Sequence, residues 1–330
     1  MSTPADHTGE FGIISQYLSP LSHKMEGALG LQDDAALLEC RDGYQLVLTK
    51  DAMVAGVHFL PGDAPPNIAR KLLRTNLSDL AAMGAAPVGY LLSTAWTADC
   101  TEEFIAGFTA GLKADQDEFG LGLLGGDTVR TPGPLTLSLT AIGELPKGQA
   151  LRRNGAAEGD YLYVSGTIGD SALGLLSLQG KLENLATDDR SFLESRYHIP
   201  KPRLTLGQVL CGYASACLDI SDGLLADIGH ICEQSEVGAV LYEEKIPISR
   251  AAETVLCTDK KYWAQILSGG DDYELAFAIP REKASQLEIL AAEAGVSVTR
   301  IGEMTGKGTP VFINTSGQKV TLDKAGWTHF

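Results

Sequence analysis

The chain has 330 residues, 44% of them hydrophobic and 21% charged, which is enough for two domains with cores of their own. Its 26 basic and 42 acidic residues give a formal charge of −16, and there is no Lys/Arg run, which argues against nucleic acid and anionic membranes as partners. An acidic protein that handles an anionic substrate must bring in cations, usually Mg²⁺.

The opening MSTPADHTGEF has no basic stretch and no apolar core, so it does not read as a signal peptide. The longest uncharged run, 80–98, contains Gly84, Pro87 and Gly89 and reads as helix end, turn and strand rather than a membrane span. Six cysteines (Cys40, Cys100, Cys211, Cys217, Cys232, Cys257) form no CxxC pair and are expected as free thiols in a reducing cytoplasm.

In chain order, residues 10–19 predict a short helix, and 27–34, GALGLQDD, a loop that delivers Asp33 and Asp34. Residues 44–49, YQLVLT, read as a buried strand running into Lys50 and Asp51. His58 follows among apolar neighbours, then a turn rich in proline (Pro61, Pro65, Pro66). KLLRTNLSDLAAMG, 71–84, is bracketed by Pro66 and Gly84 as an amphipathic helix. At 100° per residue Leu72, Leu73, Leu77, Leu80 and Met83 share one face, and Arg70, Lys71, Arg74 and Ser78 the other. Asn76 and Asp79 fall on or beside the apolar face, as a satisfied polar pair or as groups that something inside requires.

A strand over 88–96, a helix over 102–119 and a short strand over 121–124 ending in Gly125-Gly126-Asp127 come next. The alternating 135–145 is a long strand, and the turn 146–148 marks a boundary between domains 1–147 and 148–330. The second half offers a strand at 161–165, a helix from Asp170 through 178, a polar helical stretch to about Tyr197, and a helix after Pro200 and Pro202. LDISD, 218–222, ends an apolar segment ahead of a helix to about Cys232. A strand at 238–242 and the loop SGGDDYE at 268–274 follow, then a strand at 275–279, a helix at 282–294 and short closing strands. Long alternating strands mixed irregularly with helices predict an α/β (α+β) fold with antiparallel or mixed sheets.

Two glycine patterns are decoys. Gly120, Gly122 and Gly125 spell GxGxxG, but a helix precedes them and a turn follows, the reverse of a dinucleotide-binding context. GEMTGKGT at 302–309 has its first glycine one residue too close for a phosphate loop, and a strand follows it. No GxSxG, no HExxH and no Cys–His pairing is present, and the histidines are scattered. What remains is aspartate at segment ends: Asp33-Asp34, Thr49-Lys50-Asp51, Asn76-x-x-Asp79, Gly126-Asp127, Asp219-x-Ser221-Asp222 and Asp271-Asp272. Hard oxygen ligands of this kind suit Mg²⁺ and substrate phosphates, and neighbouring glycines admit close backbone approach. Each one alone reads equally as a helix cap or a turn. Six together favour a multi-metal phosphoryl-transfer site.

With DDAALL, TKDAMVAGVHF, NLSDLAAMGA, GGDT, ALRRNGA, GDSALGL, DISDGL, SGGDDYEL and the terminal GWTHF, the chain resembles the thiamine-monophosphate kinases almost end to end. These belong to the aminoimidazole-ribonucleotide-synthetase-like (PurM-like) superfamily. The resemblance implies transfer of the γ-phosphoryl group of ATP to thiamine monophosphate, several Mg²⁺ ions, two domains, and a homodimer whose N-terminal sheets join in a barrel. It implies Asp34, Thr49, Asp51, Asp79, Asp127, Asp219 and Asp222 as metal ligands, with Asp51, Asp79, Asp127 and Asp222 at the centre of catalysis. It implies Gly126, Asp127, Arg153 and Ser221 as ATP contacts, and His58, Asp271 and Trp327 as thiamine-phosphate contacts. The alternatives are another ATP-dependent enzyme of the superfamily with a different small acceptor, or a catalytically silent nucleotide-binding dimer. The chain departs from the family pattern at Gln32, where glycine is usual, at Lys50, where a hydroxyl is usual, and at Asp271, where glutamate is usual. Lys50 as an ammonium cannot ligate Mg²⁺ and is expected to stand in for a cation.

Overall fold

A computed structural model describes residues 9–183, 185–320 and 326. It contains two compact units, residues 1–77 with 87–144 and residues 78–86 with 145–330.

The first unit begins with α1 (Glu10–Ile13), which widens into a π turn and then tightens into a 3₁₀ turn, so the expected helix over 10–19 is not continuous. Pro20, which has no N–H to donate, sits inside that last turn. The strand predicted at 44–49 runs on as β1 (Tyr44–Val54). α2 (Pro65–Ala82) starts on its two prolines, where missing donors cost nothing. β2 (Ala86–Trp96) and α3 (Glu102–Phe119) follow. The Thr101 hydroxyl accepts the N–H of Phe104 to open α3, and Gly120, at φ 74°, closes it. β3 (Gly122–Arg130) extends well past the four residues expected, because the GGD segment pairs in parallel with β2 across a bulge. β4 (Thr136–Pro146) completes an open sheet of order β1-β4-β2-β3. Among the described residues it does not close into a barrel. Leu72, Leu73, Leu77, Phe108, Leu112, Leu137 and Leu139 are fully buried in its core. Each such side chain contributes about 1.5–3 kcal/mol.

The second unit contains β5 (Tyr161–Ser165), α4 (Asp170–Leu178), α5 (Thr187–His198), α6 (Leu204–Leu210), β6 (Ala216–Asp219), α7 (Leu224–Ser235) and β7 (Gly238–Tyr242). α8 (Arg250–Thr258), α9 (Tyr262–Ser268), β8 (Leu275–Ile279), α10 (Ala284–Glu293), β9 (Val298–Thr305), β10 (Pro310–Ile313) and β11 (Lys319–Val320) complete it. Its seven strands order as β11-β10-β7-β9-β5-β8-β6. β10 and β7 run parallel and the other pairs antiparallel, so this sheet is mixed, as alternation predicted. Leu162, Val164, Leu173, Leu193, Leu218, Ile228 and Ile301 lie in one buried cluster.

The expected polar face of α2 is not a solvent face: Lys71, Arg74 and Ser78 are buried. Arg74 makes a forked pair with Asp115 of α3 (Nε–Oδ2 and Nη2–Oδ1, both 2.8 Å), joined by Arg70 (Nε–Oδ1, 2.8 Å). Periodicity alone could not separate a buried ion pair from hydration. Among the described residues, no helix is long and apolar enough to cross a membrane.

Candidate functional site

The first unit carries two groups of the expected residues. In one, β1 presents Thr49 and Asp51, both half-buried. Burial raises the Asp51 pKa, while the Thr75 hydroxyl of α2, His58 and Lys50 lower it. His58 Nδ1 accepts the N–H of Val54 at 3.0 Å, which puts the neutral ring's proton on Nε2. The buried Lys71 ammonium donates to the His58 carbonyl at 3.2 Å and holds this turn against α2. Lys50 lies on the opposite, exposed side of β1, and its ammonium donates to Ser138 of β4 at 2.5 Å. It does not stand in for a cation beside Asp51, and this corrects the expectation drawn from its position.

The other group surrounds a cavity of about 510 Å³. Asp33, Asp34, Gly126, Asp127 and Thr128 line its polar side, and Ile14, Leu18, Leu91 and Leu123 its apolar side. The turn that delivers the Asp pair is strained. Leu29, Gly30 and Leu31 have φ of 51°, 67° and 57°, a left-handed run that leucine rarely adopts. A Cβ at Gly126 would collide with the Leu92 carbonyl oxygen, so only glycine fits there. Asp51 and Asp127 sit on the two edge strands of the sheet, about 14 Å apart along it at the usual strand spacing. They therefore belong to separate parts of this unit.

The second unit gathers Asp79, Asp219, Ser221, Asp222 and Asp271. Ser78, at the inner end of α2, donates its hydroxyl to Asp219 Oδ2 at 2.7 Å, both groups buried, and Asp79 is the next residue. Asp219 ends β6, and Asp222 lies in the loop ahead of α7. The loop 269–274 is zipped onto it: Asp271 N–H donates to the Ser221 carbonyl and Tyr273 N–H to the Ile220 carbonyl, both at 2.8 Å. Asp271 and Tyr273 adopt φ of 63° and 52°, and the Tyr273 hydroxyl donates to Asp271 Oδ1 at 3.1 Å. Beneath the loop, buried Glu274 accepts from Arg196 (2.9 Å), Arg203 and Ser165. Asp272 accepts the Gly169 N–H at the start of α4.

Arg153 is exposed. Its carbonyl accepts from Ser235 at 3.1 Å, and the Arg152 carbonyl accepts the Cys217 N–H at the start of β6. Trp327 lies outside the described residues. Its neighbour Gly326 packs on the Asp222 carbonyl and Ala226, where a Cβ would be too close. Residues that the sequence reading did not single out complete the picture: Ser78 as a hydrogen-bond partner, Asp227, Tyr273 and the Arg196–Glu274 pair. Asp227 and Tyr273 lie two to five residues from an expected ligand, and that proximity was the only available signal.

The donor chemistry fits a hard divalent cation. Every expected ligand offers oxygen, and Asp51 is a half-buried carboxylate whose pKa burial has raised in spite of Thr75, His58 and Lys50. Asn76 Oδ1 is buried with no hydrogen-bond partner among the described residues, an orphan acceptor in the same NLSD segment as Asp79.

Residues 32–145 match the family described as AIR synthase related protein, N-terminal domain, and residues 157–313 its C-terminal domain. The chain is 44% identical over 324 residues to the thiamine-monophosphate kinase of Caulobacter vibrioides, covering 97% of this chain and 90% of that one. The thiamine-monophosphate kinase of Stenotrophomonas maltophilia K279a superposes with a TM-score of 0.82 at 40% identity, covering 92% of this chain and 98% of that one. AaThiL complexed with AMPPCP and TMP superposes with a TM-score of 0.77 at 30% identity over the whole of both chains.

Proposed function

The chain belongs to the thiamine-monophosphate kinases, AIR synthase related proteins in both halves, and from that premise we propose that it passes the γ-phosphoryl group of ATP directly, in line, to the phosphate of thiamine monophosphate. The product is thiamine diphosphate. The observation that carries this reading is identity along nearly the whole length to kinases of that acceptor.

The chain's residues supply what such a transfer needs. The acceptor phosphate is already ionised near neutral pH, its second pKa being about 6, so no general base is required. Catalysis rests on positioning and on neutralising charge. We assign Asp34, Thr49, Asp51 and Asp127 in the first unit, and Asp79, Asp219 and Asp222 in the second, to hold Mg²⁺. When bound, Mg²⁺ offsets the negative charge of the phosphoryl oxygens. Gly126, Ser221 and the forked guanidinium of Arg153 are assigned to the ATP phosphates, where close backbone approach and bidentate donation are needed. His58, Asp271 and Trp327 are assigned to thiamine monophosphate. A Trp ring facing the thiazolium cation contributes roughly 0.5–2 kcal/mol, and Tyr273 holds Asp271 in place for a residue one methylene shorter than the usual glutamate.

We also assign residues 1–147 to ATP, Mg²⁺ and dimerisation. Support for a homodimer joined through this sheet comes from its two edges, β1 and β3, which are unpaired among the described residues, and from Leu48 and Val129 on those strands, 64% and 50% exposed.

The test is an acceptor assay with purified protein, ATP and Mg²⁺. Thiamine monophosphate should yield equimolar thiamine diphosphate and ADP, and thiamine should yield neither. ADP formed with some other acceptor and not with thiamine monophosphate would overturn the assignment.

A further inference from the structure

We propose that Asp227 is a positioning residue that sets the metal-binding loop of the second unit. One of its oxygens, Oδ2, accepts three consecutive backbone N–H groups, from Ser221 and Asp222 at 3.0 Å and from Gly223 at 3.1 Å. Three successive amides turned inward form a concave anion seat, and here the chain fills it with its own carboxylate. Asp227 is only 3% exposed and comes from the first turn of α7, so the loop is tied back onto the helix that follows it. The same loop is closed from its other side. A Cβ on Gly270 would meet the Ser221 carbonyl, and one on Gly223 would meet Ser268 Cα at 2.8 Å. The loop is therefore packed closely at both glycines, and the Asp227 bonds orient its amides within that packing.

The consequence falls on Asp222, which lies within the tied segment, and on Asp219, two residues ahead of that segment. Asp219 is held independently by Ser78, so Asp227 chiefly determines where the Asp222 carboxylate points. Oxygens of Asp222 and Asp227 and a ring nitrogen of the exposed His230 lie within 4.8 Å of one another. Asp227 thus also places a second carboxyl group beside Asp222. A partner behind a metal ligand typically changes metal affinity 10–100-fold. A simple helix cap would change stability alone. This inference rests on the assignment of Asp219 and Asp222 as Mg²⁺ ligands.

The experiment compares the full-length wild type with Asp227→Asn, which keeps the shape and replaces the carboxyl that receives the three amides with a weaker-accepting carboxamide. Mn²⁺ binding is titrated by electron paramagnetic resonance without nucleotide, amide exchange is followed at residues 221–223, and the Mg²⁺ dependence of turnover is recorded. The variant should bind Mn²⁺ about 10-fold or more weakly and exchange those amides faster. Its turnover at saturating Mg²⁺ should stay within a few-fold of wild type. Faster exchange with unchanged Mn²⁺ affinity would reduce Asp227 to a cap and overturn the proposal. Should Asp227→Asn not fold, Asp227→Glu preserves the carboxyl and displaces the oxygen, and unchanged Mn²⁺ affinity there overturns it equally. Wild type that binds no Mn²⁺ would instead refute the ligand assignment, a result distinct from either.

Discussion

Asp51, proposed as a metal ligand, is a carboxylate whose burial disfavours its charge. Burial raises its pKa, and only the Thr75 hydroxyl, His58 and Lys50 counter that. Removing the charge should therefore spare the fold and end the chemistry. Asp51→Asn is expected to lose at least ~100-fold in thiamine diphosphate formation, while its melting temperature without Mg²⁺ stays level or rises. A large drop in melting temperature would make Asp51 structural. Lys50→Thr belongs in the same series. Its ammonium is engaged by Ser138 on the opposite side of β1, so the variant should keep the wild-type Mg²⁺ dependence. At this scale the sequence was most informative about which residues offer oxygen and least informative about where each one points. Lys50 is the residue next to Asp51 yet faces the other way, and nothing in the sequence around Asp227 distinguishes it from an ordinary helix residue, although it receives three amides.

Elements with local signals could be read from the chain, and elements fixed by partners could not. α3 begins and ends where predicted because Thr101 caps it and Gly120 takes the left-handed turn. The second half of β3, from the GGDT segment on, does not read as strand in the sequence, and parallel pairing with β2 extends the strand through it. The loop 269–274 is likewise a tertiary object: its two left-handed non-glycine residues persist because Ile220 and Ser221 receive their amides. Asp272 anchors that loop to α4, and burial, then Asp170 and Glu274, push its pKa well above 3.8. A raised pKa means the folded state binds the proton more tightly than the unfolded one, so stability falls as pH rises from the ordinary carboxylate range through the folded value. Asp272→Asn imitates the protonated form. Its melting temperature relative to wild type should climb as pH is raised from about 4, the ordinary range for Asp, towards 8. A wild type that gains on the variant over that interval would show an ionised Asp272 held by Arg196.

For the whole molecule, two compact units each carry part of the oxygen set, and the divide between Glu144 and Leu145 falls in the last residues of β4. The assignment of Ser78–Ala86 to the second unit could not be read from the sequence, because the same helix supplies both. The open first sheet leads to an assembly prediction. Light scattering should give twice the chain mass, and Leu48→Glu with Val129→Glu should give the monomer. A monomeric wild type would refute the dimer. In the proposed reaction these aspartates hold cations and position phosphates while the phosphoryl group passes directly from ATP to the acceptor. The most direct measurement is the stereochemical course of transfer from ATP carrying a chiral γ-thiophosphoryl group to thiamine monophosphate. A single in-line displacement predicts inversion at phosphorus in the thiamine product. Retention would mean two displacements through a phosphorylated enzyme group and would contradict the account.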